Sequence, residues 1–448
     1  MSSAKTVYVV HCVDTEGPLY ESLEVSFERL NAVLGTDFPP SRESLRKIQK
    51  GELDLGGKEE VARLMLSPEM LDYNDHWGKL DGMLDELLSP EFRKRYADPS
   101  GRGWGFSWFV MDHVGYETNP RCRDVGYLNI FDHYAFRLKE TESRSDELHW
   151  HVHPTTFYRE GNASSTAFLQ SPHVLEGLSR RIIDRKFFPN CFRAGFHAER
   201  PDSHWFLEQW IPFDYSNQAI AATSLEKAQA DTHGGRFGDW RRAPSDWSPY
   251  HPSHDDYQLP GNCHRTIFRT LNIGTRFRLI TPEEVENAFL RADKGQTTVI
   301  SFADHDWRDM RRDVKQAHEM ISKVAKKFPK VEWRNAGARE AARSVLNFSD
   351  EKPICLELSM EIRNNIGRLT VTADKDSFGP QPFLAIKTSD KRYLHDNFDF
   401  ESPKRRWSYT FDANTVPLQA LETIGVAVND RSGVSSVMLI DAKGREAR

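Results

Sequence analysis

Cysteine is sparse in this chain and follows no pattern. Cys12, Cys122, Cys191, Cys263 and Cys355 are five in 448 residues. Their number is odd and no C-x-x-C pair occurs, so neither a disulfide framework nor a zinc ribbon is indicated. Long apolar runs are lacking as well: no segment approaches the roughly eighteen apolar residues of a membrane-spanning helix, and no span is expected. Met1-Ser-Ser-Ala-Lys-Thr-Val7 runs directly into an apolar strand without the regions of a signal peptide, so a cytoplasmic location is the expectation. A basic excess is missing too. The formal charge is −6, which argues against a dedicated nucleic-acid binder.

What is present is length, aromatic residues and an alternation of strands and helices. The 448 residues suffice for two or three domains, one with a sizeable core. Eleven Trp and 27 Phe are mostly core, though aromatic walls also suit sugar-binding clefts. Thr6 to Val13 is a nearly continuous β-branched and apolar run, as expected of a buried parallel strand. It ends in Asp14-Thr-Glu16-Gly-Pro18, two carboxylates at the strand end where parallel α/β folds bind ligands. Residues 20 to 100 read as a polar, helical insertion able to form a lid or one wall of a cleft. Phe106 to Met111 and Thr297 to Phe302 are further core strands, and Leu175 to Arg185 has helical apolar spacing. The long segment from Lys227 to Arg265 is rich in Trp, Pro, His and Asp and could complete a substrate pocket.

Two stretches carry chemistry. In Glu147-Leu-His149-Trp-His151-Val-His153-Pro154, a strand's period of two puts three imidazoles on one face, and two on one strand can converge on a single ion. In Ala303-Asp304-His305-Asp306-Trp307, His305 sits at a strand end between carboxylates that could orient it or set its pKa. Alternation to about residue 347 indicates a parallel sheet or barrel with its site at the strands' C-terminal ends. From about residue 351 the pattern changes. Ile354 to Ile362, Arg368 to Thr372, Pro382 to Ile386, Arg406 to Phe411, Ile424 to Val428 and Ser436 to Ile440 are six short strands without helices, a β-sandwich pattern. Packing, oligomerisation and glycan contact are its expected roles, in that order.

Together these motifs resemble the polysaccharide deacetylase family, the NodB-homology or carbohydrate esterase family 4 fold. The resemblance covers roughly residues 5 to 345, interrupted by the insertion. It is nearest to variants of bacterial surface-polysaccharide biosynthesis, with a D-x-E first motif and an H-x-H second. It implies an α/β fold, a distorted (β/α) barrel over residues 1–348 followed by an all-β sandwich over 349–448. Alignment on Gly17-Pro18 implies Asp14 as general base and Glu16 as the metal-binding carboxylate, though which of the two does which stays open. His151 and His153 are implied as metal ligands. Phe192-Arg193-Ala-Gly195 resembles the third motif, with Arg193 orienting the base; Asp214-Tyr215-Ser216 is similar to the strand end lining the groove, implying substrate contact. The last motif implies His305 as general acid, with Asp306 assisting it and Trp307 against the substrate. The cofactor implied is one divalent ion, zinc first, with manganese, iron, cobalt or nickel as alternatives. The activity implied is removal of an N-acyl group from an amino sugar or glycan precursor, with a homo-oligomer through the sandwich left open. A deformylase or other amide hydrolase, and a non-catalytic carbohydrate-binding protein, stand beside it.

Overall fold

β1 (Thr6–Thr15) is the strand about which the N-terminal region is arranged, its β-branched residues favouring extended backbone and buried on both faces. The computed structural model describes residues 5–161, 163–220, 238–275, 278–349 and 352–447. Parallel to β1 run β2 (Ser107–Val110), β3 (Glu147–Val152), β4 (Cys191–Ala194), β5 (Phe213–Asn217), β6 (Thr266–Asn272), β7 (Thr298–His305) and β8 (Glu332–Asn335). Their order is β2-β3-β4-β5-β6-β7-β1-β8, and β2 also pairs with β1, so seven strands close into a barrel. One edge of β1 is shared: Thr6–Val9 pair with Glu332–Asn335, and Cys12–Thr15 with Ser107–Val110.

Closure makes the period of two decisive. Val10 and Cys12 turn into the lumen with Phe109, Cys191, Phe213, Tyr215, Phe268 and Val299. Val9, Val13, Trp108 and Val110 turn outward, into a core shared with the helices Trp77–Leu87, Pro282–Asp293 and Arg311–Ala325. The strands' N-terminal end is stoppered by the helix Ala338–Val345, whose Ala338 amide donates to Ser107 Oγ at 2.8 Å. The C-terminal end is left for polar side chains.

Residues 20–100 form six helices, Leu23–Leu34, Arg42–Lys50, Glu59–Met65, Pro68–Leu71, Trp77–Leu87 and Pro90–Arg95. Ser22, Ser41, Ser67 and Ser89 cap four of them by accepting a backbone N–H. The first three share a core of Phe27, Leu30, Ile48 and Met65. Of the segment from Lys227 to Arg265, residues up to 237 lie outside the described ones; the remainder packs Trp240, Tyr250 and Tyr257 against Ile267 of β6.

From residue 352 on, two antiparallel sheets replace the barrel pattern. One joins β9 (Leu356–Arg363), β10 (Ile366–Ala373), β13 (Asp399–Ser402) and β14 (Arg406–Phe411) in the order β13-β14-β10-β9. The other joins β11 (Phe383–Thr388), β12 (Tyr393–Asp396), β15 (Leu421–Asn429) and β16 (Ser435–Asp441) in the order β12-β11-β15-β16. Leu369, Val371 and Trp407 meet Ile386, Ile424 and Val426 between them. Eight strands thus stand where six were expected. The two additions, β12 and β13, are four-residue edge strands too polar to alternate, a form that discourages edge-to-edge pairing. The second sheet lies on the helix Pro172–Arg185, with Phe383, Ala385 and Ala427 against Ile182 and Ile183. Gly425 permits that approach, since a Cβ there would stand 2.7 Å from Ile182 Cγ2. Among the described residues no helix is long and apolar enough to cross a membrane.

Candidate active site and metal centre

Strand register decides which side chains meet at the open end. Asp14 lies opposite Phe109 on one side and His305 on the other, and His151 opposite Arg193. Glu16 Oε1 stands 3.8 Å from His151 Nε2 and 3.7 Å from His153 Nε2, with the two nitrogens 3.0 Å apart. His151 Nδ1 donates to the Arg193 carbonyl at 2.9 Å, which in a neutral ring leaves the lone pair on Nε2. Burial, with His151 and His113 adding to it against Glu16, lowers His153 to about 3, so His153 is a neutral imidazole at pH 7. Acceptors facing one another at this spacing fit a single cation about 2 Å from each. Glu16, His151 and His153 therefore form a candidate metal-binding group.

The carboxylates are fixed from behind. Arg193 clamps Asp14 through Nε to Oδ1 at 2.6 Å and Nη2 to Oδ2 at 3.0 Å, while its Nη1 donates to the Tyr215 carbonyl at 2.6 Å. Burial opposes ionisation of Asp14, but Arg193, His151 and His305 outweigh it and hold the carboxyl well below the usual range. Burial likewise opposes ionisation of Glu16, and Arg123 with the three histidines brings it down to about 2. Arg123 Nη2 donates to Glu16 Oε2 at 2.7 Å, and His113 Nε2 donates to the Glu16 carbonyl at 2.8 Å. The turn itself is tied to Asp306, whose oxygens accept the Glu16 and Gly17 amides at 2.9 and 2.8 Å and the Tyr134 hydroxyl at 2.8 Å. Gly17 has φ 69°, the left-handed region open to glycine.

His305 Nε2 is 3.8 Å from Asp14 Oδ2, and its Nδ1 is buried without a hydrogen-bond partner. Burial lowers it to about 4 against the pull of Asp14 and Glu16, so in the free protein the ring is neutral at pH 7. The expected support from Asp304 or Asp306 is not found. Asp304 Oδ1 accepts the His305 backbone amide at 2.8 Å rather than the ring, and Asp306 is engaged by the β1 turn.

Asp14, Glu16, His151, His153, His305 and Trp307 line one cavity of about 200 Å³. Arg193 stands behind it, and Asp306 holds its floor. Asp214 and Tyr215 do not reach it. The Tyr215 hydroxyl donates to the Ala338 carbonyl at 2.6 Å, deep in the lumen, and Asp214 faces away, 3.2 Å from Arg265 Nη1. His149 shares the strand face of His151 but lies one step lower, 3.1 Å from Glu147 Oε2. Sequence reasoning missed Arg123, His113 and His197, which come from loops without periodicity. His197 and Phe196 take positive φ, 52° and 51°, in the turn after β4, which brings both to the cavity. The insertion, expected as a lid or one wall of a cleft, lines the cavity through Glu21, Arg29, Met65, Met70 and Tyr73, none of which sequence reasoning singled out. Compared with protein-family models and with curated proteins, the sequence matches none.

Proposed function

We propose that the protein is a metal-dependent hydrolase of the NodB-like type that removes an N-acyl group, acetyl in the first instance, from an amino sugar. The observation that carries this reading is the convergence, in one cavity, of an ionised Asp14, a neutral His305 at 3.8 Å and the Glu16–His151–His153 group. A binding site has no need of an adjacent pair able to take and return a proton. Zinc suits the two imidazoles and one carboxylate, and manganese, iron, cobalt and nickel are compatible with the same donors. When bound, the ion would supply Lewis acidity for the acyl carbonyl and the attacking water.

The chain's own residues handle the protons. Asp14 orients the water and receives its proton as the oxygen adds to the acyl carbon. Arg193 makes Asp14 a poor resting place for that proton, and the more basic His305 takes it over the 3.8 Å gap. His305 then protonates the leaving nitrogen, the C–N bond breaks, and a carboxylic acid and an amine form, departing as carboxylate and ammonium once the acid's proton passes to the amine. Trp307 packs against His305 with ring centroids 4.7 Å apart and the planes tilted by 43°, limiting the swing of the imidazole and offering an apolar face to the sugar.

Metal content by mass spectrometry, with amine release from N-acetylated amino sugars, tests this reading. Wild type should hold about one divalent ion per chain and release amine, and His151→Ala/His153→Ala should lose both. A wild type that takes up neither zinc, manganese nor cobalt would overturn it.

A further inference from the structure

Resting on that reading, the wall of the cavity built by the insertion and by the loops after β1, β2 and β7 narrows the substrate class. We infer that the substrate carries an anionic group, a phosphate or a carboxylate, close to the sugar, and that Arg29, Arg121 and Arg308 bind it.

Among the described residues Arg29, Arg121, Arg123 and Arg308 all line the cavity, and apart from Asp14, which Arg193 neutralises, the lining carboxylates are Glu16 and Glu21. Glu21 serves two guanidinium groups at once: Arg29 Nη2 donates to its Oε1 at 2.9 Å, and Arg121 Nε lies 3.1 Å from its Oε2. Glu16 is shared between Arg123 and the candidate cation. Among the described residues Arg308 has no carboxylate partner. Its Nη1 donates to the Gly274 carbonyl at 3.0 Å, and its Nε is buried without a hydrogen-bond partner, as is that of Arg29. Among the described lining residues four arginines thus face two carboxylates besides the Asp14–Arg193 pair, before any cation is counted. Uncompensated charge in a half-closed cavity is costly, and an anion entering there removes the cost. Burial lowers the pKa of Arg121 against the pull of Glu21, and that of Arg308 against Tyr73 and Asp304, with Arg29 a smaller push in the same direction in both.

The chemistry of the donors selects the ligand. Guanidinium forks match the paired oxygens of phosphate and carboxylate, whereas a neutral glycan has only hydroxyls to offer. Position sets how far the anion lies from the scissile amide. Arg308 stands over the Trp307 ring at 4.7 Å, and that ring lies 4.7 Å from His305, so one indole separates the guanidinium from the proton donor. The anionic group therefore belongs on the same sugar as the amide or directly linked to it, not at the end of a long chain. The cavity, about 200 Å³, is small for a ligand site, in keeping with one sugar and its charged substituent.

Calorimetric titration of the metal-loaded protein with product-like sugars, which cannot turn over, tests the inference. The probes are glucosamine, glucosamine 1-phosphate, glucosamine 6-phosphate and 2-amino-2-deoxyglucuronic acid. At least one charged sugar should bind about tenfold or more tighter than glucosamine, as charge-assisted hydrogen bonds imply. Whether the phosphates or the uronic acid gain identifies the source of the anion. Arg308→Gln, and separately Arg29→Gln/Arg121→Gln, should abolish the preference while leaving metal content and glucosamine binding in place. Charged sugars binding no better than glucosamine, or a preference that survives both variants, would overturn it. Amine release separates the two readings. Arginine-dependent binding without any deacylation would sink the hydrolase and keep the anion site, and deacylation of neutral amino sugars without a charge preference would do the reverse.

Discussion

Two clusters in this barrel each bury two carboxylates, yet they hold different protonation states. At the open end, Asp14 and Glu16 each have an arginine, Arg193 and Arg123, and both stay ionised. Behind the wall, Glu199 and Asp214 share one: Arg265 Nη2 is 3.1 Å from Glu199 and Nη1 is 3.2 Å from Asp214. Burial, with Asp214 adding to it, pushes Glu199 well above the carboxylate range despite Arg265, so the second cluster keeps a proton and is neutral. Burial and an arginine partner are common to both. What marks the site is the ratio of one arginine to each carboxylate, which keeps both ionised beside a cavity where imidazoles and a cation can use them.

The largest test of that distinction is Asp14→Asn. The amide keeps the shape and part of the Arg193 clamp but cannot take a proton, so kcat should fall by about 10²- to 10⁴-fold, with metal content retained. Steady-state amine release and mass spectrometry check it, and a variant with near-normal kcat would end the parallel between charge state and chemistry. Arg265→Met makes the converse test. It leaves Asp214 buried without its cation, which should cost roughly 3–5 kcal/mol in denaturant unfolding while kcat of the folded protein stays within about twofold. A stable but inactive Arg265→Met protein would mean that the sealed cluster is functional after all.

This contrast also explains what could be read from the sequence. Asp14 and Glu16, His151 and His153, and His305 were legible because each follows a strongly patterned strand whose phase the closed barrel preserves. Asp214 and Tyr215 lie within such a strand too, but one faces outward and the other stops a layer below the cavity, and the phase of a five-residue strand is not encoded in its composition. Arg123, His113 and Arg29 were illegible for another reason. They reach the site from loops and an inserted helix, where no period ties side-chain direction to position. The sandwich was readable from its apolar strands and incomplete at β12 and β13, which are uniformly half-buried and uniformly exposed and so leave no alternation to detect.

Glu199→Gln sharpens the comparison through pH. A carboxyl whose folded pKa is raised contributes stability fully present below the unfolded value, near 4.5, and lost as pH rises toward the folded value. Wild type should therefore weaken relative to Glu199→Gln as pH climbs from 5 to 7, by up to about 1.4 kcal/mol for each unit. Unfolding free energies of the two proteins at several pH values measure this. Parallel curves would mean that Glu199 is ionised and that one arginine suffices for two carboxylates.

The smallest effect is expected at a further carboxylate, Glu147, which a histidine, His149, shares with an arginine, Arg339. Burial opposes its ionisation, and His149 with Arg339 outweighs that, holding it below its usual value. Glu147 Oε2 also accepts the Arg339 amide at 2.9 Å, so His149 is one of several supports. His149→Gln keeps a donor of similar reach and should change stability by less than about 1 kcal/mol, with metal content and kcat unaltered. This outcome separates membership of a strand face from membership of a site. His149, His151 and His153 point the same way, but only the last two stand level with Glu16, and a metal ion fixes on ligands by distance rather than by direction. Loss of the ion in His149→Gln would place the centre one step deeper in the barrel, at the level of Glu147, and return all three imidazoles to it.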